Sequence, residues 1–461
     1  MIFEQYYLEC LSHASYLVGD ETTGKAVIVD PQRDVGQYVR DAVSRGLKIE
    51  RVLETHVHAD FLSGHLELAE STGAIISYGS AVSGIGFPHE TLSDGQRISL
   101  GEVELEIRET PGHTPESISI VVFEHGADTD PSLVLTGDTL FIGDVGRPDL
   151  LASVGFTADE LARQLYHSLH KKLLTLPDAT KVFPAHGAGS SCGKQLSTET
   201  QSTIGEQRKN NYALAPMSED EFVEVVSEGQ NRAPGYFSFA ASRNREARPV
   251  LDEMNSPPAH SVADLTQWQL EGVIVLDTRD PMDFARGHIK GSINVDLAGR
   301  FAEWVGSIIS AGSDIELVCV PGTEIEATVR LARIGFDSVK GYLDKPLTVM
   351  AENSDLVERS SRLTASEFND RKNKLPNLQI IDVRNSGEVT LGSIPGAKNI
   401  PLTQLVGSLN ELDPALPIVT YCAGGARSAI AASVLRENGF TDVSDLLGGY
   451  GAWSKATTVS S

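Results

Sequence analysis

A chain of 461 residues exceeds what one hydrophobic core organises, and 41% apolar with 22% charged residues suits a soluble protein of two or three domains. Its 38 basic and 63 acidic side chains leave a net charge of −25, which repels phosphate backbones and anionic membranes and argues against nucleic acid as a partner. Residues 1–7 carry neither a basic nor an apolar signal region, and no apolar run approaches the roughly 20 residues that span a bilayer, so a cytoplasmic protein without membrane contact is expected.

In chain order, residues 1–245 alternate β-rich runs (25–30, 102–107, 117–123) with amphipathic helices. The clearest helix is predicted over 34–44, with Val35, Tyr38, Val39 and Val43 on one face. This pattern predicts a layered α/β domain. A polar stretch at 242–261 containing Pro249, Pro257 and Pro258 reads as a linker. Beyond it, Asp277-Thr278-Arg279, Ile289, Gly291 and Asn294 recur as Asp382-Val383-Arg384, Ile394, Gly396 and Asn399 at a constant offset of 105 residues. Two copies of one parallel α/β module are therefore expected, over 258–350 and 360–461. The four cysteines, Cys10, Cys192, Cys319 and Cys422, are too few and too scattered for a disulfide framework and are read as thiols.

Four apolar runs in the first domain each end in a metal-ligand residue: His56 after Leu53-Glu54-Thr55, His113 after 107–112, Asp138 after 133–137 and His186 after 182–185. The first stop also carries His58 and Asp60, so imidazoles and carboxylates accumulate where strands end. Alternating histidines on a turn point both rings into one pocket, and residues from later strands complete a coordination shell.

The run His56-x-His58-x-Asp60, with His113 in Thr110-Pro111-Gly112-His113-Thr114, Asp138 in Thr136-Gly137-Asp138-Thr139 and His186 in Pro184-Ala185-His186-Gly187, resembles the metallo-β-lactamase superfamily. The resemblance covers residues 1 to about 240 and implies an αββα sandwich. In binuclear members a histidine follows the aspartate and joins a second metal. Phe61 stands there instead, and a phenyl ring cannot coordinate, so a mononuclear centre is expected. The mononuclear branch that this chain resembles is the persulfide dioxygenases. Carried onto this sequence, that implies one Fe(II) per chain on His56, His113 and Asp138, with His58, Asp60 and His186 in the surrounding shell; spacing alone leaves His56 and His58 as alternatives. The loop Phe141-Ile142-Gly143-Asp144-Val145-Gly146-Arg147 is similar to one that lies beside the thiol carrier in that branch, which implies a substrate-binding role for Arg147. A tyrosine that the branch places soon after the last histidine is missing from His186-Gly187-Ala188-Gly189-Ser190-Ser191-Cys192. Cys192, six residues past a pocket histidine on a glycine-rich loop, is expected near the metal, where it would carry or relay sulfur.

In the last module an apolar run leads into Cys422-Ala423-Gly424-Gly425-Ala426-Arg427-Ser428 and then a helical run. Glycines let successive N–H groups turn toward the sulfur, and the helix N-terminus and Arg427 favour negative charge there. The loop and its flanking runs resemble a rhodanese, which implies Cys422 as the sulfur-carrying nucleophile, Arg427 beside it, and Gly424 and Gly425 on the substrate. In the middle module the repeat offset sets Leu317 or Val318 opposite Cys422 and leaves Cys319 out of register. With Cys319 slid into place, Glu324 stands where Arg427 should be, so this copy is expected to be inactive and structural.

The domain order resembles bacterial fusions of a persulfide dioxygenase with a degenerate and an active rhodanese. That implies oxidation of a low-molecular-weight thiol persulfide by O2 to sulfite, transfer of sulfane sulfur to sulfite giving thiosulfate, and a homo-oligomer. A thioester hydrolase similar to glyoxalase II and a non-catalytic sulfur-carrier scaffold are the other readings.

Overall fold

The structure is a computed structural model that describes residues 1–150, 155–230 and 232–458. It divides into two compact units, Met1–Glu253 with Ala332–Gly335, and Met254–Leu331 with Phe336–Ser461. No helix among the described residues is long and apolar enough to cross a membrane.

The first unit holds two six-stranded sheets. One runs Ile2–Leu8, His13–Asp20, Lys25–Val29, Lys48–Leu53, Ile75–Gly79, Glu90–Leu92; the other runs Ser202–Thr203, Lys181–Pro184, Leu133–Gly137, Ile118–Phe123, Glu104–Glu109, Arg97–Ser99. Side chains alternate across each strand, so Ala14, Tyr16 and Val18 of one sheet share a core with Ile118, Ile120 and Val122 of the other. The intervening residues face outward to helices. Leu17 and Ile28 pack with Tyr38 and Ala42, while Val121 and Val134 pack with Leu165 and Leu169. These four layers form the αββα sandwich. Each fully buried Ile or Val contributes roughly 1.5–3 kcal/mol before conformational entropy is counted.

Two local expectations are corrected. The helix spans Gly36–Ser44 and buries Tyr38 and Ala42, whereas Val43 is 71% exposed. Ala42 completes the i, i+3, i+4, i+7 stripe begun by Val35, and Val43 lies just beyond its edge. The polar stretch after Ser242 is not all linker, because Asn244 and Arg248 are buried within the first unit. Arg248 forks onto both carboxylate oxygens of Glu67 and donates to the Ser63 carbonyl.

The second unit contains the repeat as two all-parallel five-stranded sheets of the same order. They are Ala259–His260, Val339–Leu343, Ile315–Val318, Ile274–Asp277, Ile293–Asn294 and Ser361–Leu363, Val443–Leu446, Ile418–Tyr421, Gln379–Asp382, Lys398–Asn399. The shared residues do the same work in both copies. Arg279 pairs with Asp277 and Arg384 with Asp382, while the amides of Asn294 and Asn399 each donate to two backbone carbonyls at the end of the neighbouring strand.

Strand register overturns the expected place of Cys319. Asp277 pairs with Val318 as Asp382 pairs with Tyr421, so Cys319 is the counterpart of Cys422 and neither Leu317 nor Val318 is. The stretch from Asp277 to Cys319 is two residues longer than that from Asp382 to Cys422, which a constant offset cannot show.

Candidate metal centre and sulfur-transfer loop

The strand ends gather at one rim of the sandwich rather than along the edge of one sheet. Glu104–Glu109, Leu133–Gly137 and Lys181–Pro184 run in the same sense in one sheet, and Lys48–Leu53 delivers His56 and His58 from the other. Gly137 adopts φ +52, and a Cβ there would meet the Thr55 side chain, so only glycine makes the kink that turns Asp138 into the pocket.

Ligand atoms of His56, His113 and Asp138 lie within 4.8 Å of one another, all buried. Asp138 Oδ2 is 3.5 Å from His113 Nε2 and 4.0 Å from His56 Nε2. A second group within the same limit is His58, Asp60 and His186, and a third is Asp138, His186 and Cys192. His186 Nε2 lies 3.3 Å from Asp60 Oδ2 and 3.5 Å from Asp138 Oδ1. Both oxygens of Asp138, Oδ1 of Asp60 and Nε2 of His186 are buried with no hydrogen-bond partner among the described residues. Burying a carboxylate unpaired costs several kcal/mol, so this donor set fits a cation that joins the carboxylate to the imidazoles.

The outer ring nitrogens fix which atoms face inward. His113 Nδ1 donates to the Arg147 carbonyl at 2.9 Å, and His186 Nδ1 to the Ser12 carbonyl at 3.2 Å. His56 Nδ1 lies 3.0 Å from Thr55 Oγ1, which in turn donates to Asp30 Oδ2 at 2.8 Å. Each bond sets a tautomer whose Nε2 is free to bind a metal. His58 differs. Its Nε2 faces Asp30 Oδ1 at 3.1 Å and Glu54 Oε2 at 3.5 Å. Burial alone would lower the His58 pKa, but the Asp30, Glu54 and Asp60 charges outweigh it and push it up to about 9. Burial, with neighbouring imidazoles, pulls His56 well below the usual histidine range. Spacing left this pair open; the geometry groups His56 with His113 and Asp138.

The remaining residues take up distinct places. Phe61 is 1% exposed, its ring packed on His13 and His58. The Cys192 thiol is buried beside Asp138 and His186, and burial, then the Asp60 and Asp138 charges, push its pKa well up. The Arg147 guanidinium is engaged by Asp149 at 2.6 and 2.7 Å and by the Ser191 carbonyl at 3.1 Å, while its own carbonyl orients His113.

Several supporting residues escaped sequence reasoning. Asn244 Nδ2 donates to the carbonyls of His58 and Phe61, both at 2.8 Å, and its Oδ1 accepts from the Ser63 N–H. Tyr236 donates to the Asp60 carbonyl at 3.1 Å, and the Val57 N–H donates to buried Glu116. These pin the His56 to Phe61 loop from distant sequence, which no local pattern announces. Asp30 was visible as an acidic stop to an apolar run.

In the last module Cys422 is 2% exposed and its sulfur accepts from the Gly425 N–H at 3.1 Å. Gly425 sits at φ +105 just before the helix Ala426–Glu437, and a Cβ there would crowd the Gly448 backbone. Gly424 is exposed at the loop's tip. Arg427 is held in a fork by Glu388, with both contacts at 2.7 Å, an acidic partner that the sequence did not suggest. In the middle module Glu324 takes the place of Arg427, and its two carboxylate oxygens accept from the Gly322 N–H at 3.0 Å each, filling the loop from within.

A sandwich whose strand ends converge on orphaned carboxylates and histidines that could hold a metal ion is followed by two parallel modules, of which the last carries a cysteine in a glycine loop. Comparison with known proteins agrees. The metallo-beta-lactamase superfamily model matches residues 8–186, and the rhodanese-like domain model matches 261–344 and 364–456. The chain is 32% identical over 231 residues to "Persulfide dioxygenase ETHE1, mitochondrial" of Bos taurus, covering 50% of this chain and 82% of that one. It is 31% identical over 183 residues to "Hydroxyacylglutathione hydrolase cytoplasmic" of Arabidopsis thaliana, covering 39% and 66%. A solved metallo-beta-lactamase from Staphylococcus aureus subsp. aureus COL aligns with a TM-score of 0.66 at 32% identity, covering 74% of this chain and 98% of that one. The chain belongs to the metallo-β-lactamase superfamily, as a fusion with two rhodanese-like domains and with persulfide dioxygenases among its relatives.

Proposed function

We propose that this chain oxidises a low-molecular-weight thiol persulfide to sulfite at one Fe(II) and transfers sulfane sulfur to sulfite at Cys422, giving thiosulfate. The observation that carries this reading is the meeting of His56, His113 and Asp138 around orphaned carboxylate oxygens while Phe61 fills the place of a further ligand.

His56, His113 and Asp138 would hold the Fe(II), which would supply activation of O2. The protein's own groups do the rest. The Arg147 carbonyl and the Thr55–Asp30 pair keep His113 and His56 in one tautomer, and the apolar Phe61 face keeps water from the side where a second metal would sit. In the net reaction the outer sulfur takes two oxygen atoms from O2 and one from water and leaves as sulfite. The inner sulfur departs as the thiol, and two protons are released. Cys192 lies buried beside Asp138 and His186, but burial and the Asp60 and Asp138 charges hold its proton on, so these steps need no sulfur on it. At Cys422, the thiolate attacks the outer sulfur of a second persulfide and the S–S bond breaks to release the thiol. Sulfite then takes that sulfur, restoring the thiolate and forming thiosulfate. The Gly425 N–H and Arg427 stabilise negative charge on the sulfur throughout.

The test is product analysis with glutathione persulfide. Cys422→Ser should retain oxygen uptake but yield sulfite in place of thiosulfate, and Cys319→Ser should change neither. Thiosulfate formed at the native rate by the Cys422 variant would overturn the assignment.

A further inference from the structure

The middle module keeps a cavity after losing its chemistry. It measures about 880 Å³ and opens beside Cys319, at the end of the strand Ile315–Val318 where the last module holds Cys422. Sulfur transfer does not suit it. Glu324 already occupies the loop N–H that an anion would use, and burial pushes the Cys319 thiol up to about 12. What remains is an apolar wall and a rim of mixed charge, in which Asp283 faces Arg286 and Glu358 faces His288 Nε2 at 3.3 Å. Val320 and Leu347 line the cavity although they are 50% and 66% exposed, and Met350 lies deeper at 9%. Of the three arginines in the lining, Arg279 is ion-paired with Asp277 and also donates to the Gly287 carbonyl, and Arg286 pairs with Asp283 at 2.7 Å. Arg359 is exposed at the mouth with no ion-pair partner among the described residues. Exposed apolar side chains around a cavity of drug-ligand size, with one uncommitted guanidinium, match a ligand with an apolar body and a single negative group.

We propose that this cavity binds an amphipathic organic anion non-covalently, its apolar body against Val320, Leu347 and Met350 and its anionic group on Arg359. The site is independent of the dioxygenase and sulfurtransferase reading.

The probe is 8-anilinonaphthalene-1-sulfonate, an aromatic body with one sulfonate, titrated by fluorescence into the full chain with stoichiometry from equilibrium dialysis. One saturable site per chain is expected. Leu347→Asp should weaken it by at least about tenfold, from lost apolar burial. Arg359→Gln should weaken it about fivefold and flatten its salt dependence. Both residues are exposed, and circular dichroism checks that each variant folds. Absence of saturable binding, or binding unchanged in Leu347→Asp, overturns the site. Loss in Leu347→Asp with no change in Arg359→Gln overturns its anionic character, as does equally tight, Arg359-independent binding of neutral N-phenyl-1-naphthylamine.

Discussion

The ring of Phe61 lies 4.0 Å from that of His13, centroid to centroid, and 4.4 Å from that of His58, while His13 in turn lies 5.5 Å from His186. Phe61 directly follows Asp60, whose Oδ2 lies 3.3 Å from His186 Nε2, and offers that pair no ligand atom. Phe61→His should restore an imidazole beside that pair and raise bound zinc per chain above the native level, while persulfide-dependent oxygen uptake falls. Elemental analysis and an oxygen electrode, on proteins prepared with the same metal supply, check this. Unchanged stoichiometry with full uptake would show that backbone placement, not residue 61, sets the nuclearity.

Glu388 holds Arg427 with two 2.7 Å contacts and so sets a carboxylate against the guanidinium to which the proposed function assigns the anionic sulfur. Glu388→Gln keeps the shape and removes the charge. The KM for sulfite should fall several-fold, of order 1 kcal/mol, with kcat little changed. A raised KM would mean that Glu388 serves to position Arg427 rather than to compete with sulfite.

Asn244 satisfies two buried carbonyls of the ligand loop and one N–H. Asn244→Ala leaves them unpaired, at a cost of about 1–3 kcal/mol each, and should lower metal affinity about 10- to 100-fold. Chelator competition measures this. An unchanged affinity would show that the loop is held by Tyr236 and Glu116 alone.

Burial, then the Asp264 charge, push Glu316 in the middle module up to about 8 from 4.5, against the pull of His260, whose Nδ1 lies 3.2 Å from its carboxylate. The folded state thus binds a proton that the unfolded chain has released across that interval, so this group's stabilisation is full below pH 4.5 and is lost as pH rises through about 8. In Glu316→Gln the denaturation midpoint should lose that fall between pH 5 and 8. A fall of equal size in the variant would assign the pH dependence elsewhere.

The sequence made the layers and the site legible to different depths. Strand-then-ligand runs marked His56, His113, Asp138 and His186 because coordination needs rigid strand ends, and the Asp277 and Asp382 repeats marked the twin modules because each pairs with its own arginine two residues on. What separates His56 from His58 lies in their ring nitrogens, Nδ1 bonded to Thr55 in one case and Nε2 facing Asp30 in the other, which spacing does not carry. Cys319 was misplaced because offsets ignore insertions that strand pairing absorbs. Asn244 and Glu388 were missed because their contacts come from tertiary packing, not from a period or a motif.

Metal content measured together with oxygen uptake on glutathione persulfide tests the central claim most directly. The native chain should hold one iron and consume oxygen in proportion to it, and His113→Ala should lose both. Two tightly bound zinc ions per chain, with thioester hydrolysis and no oxygen uptake, would contradict the account.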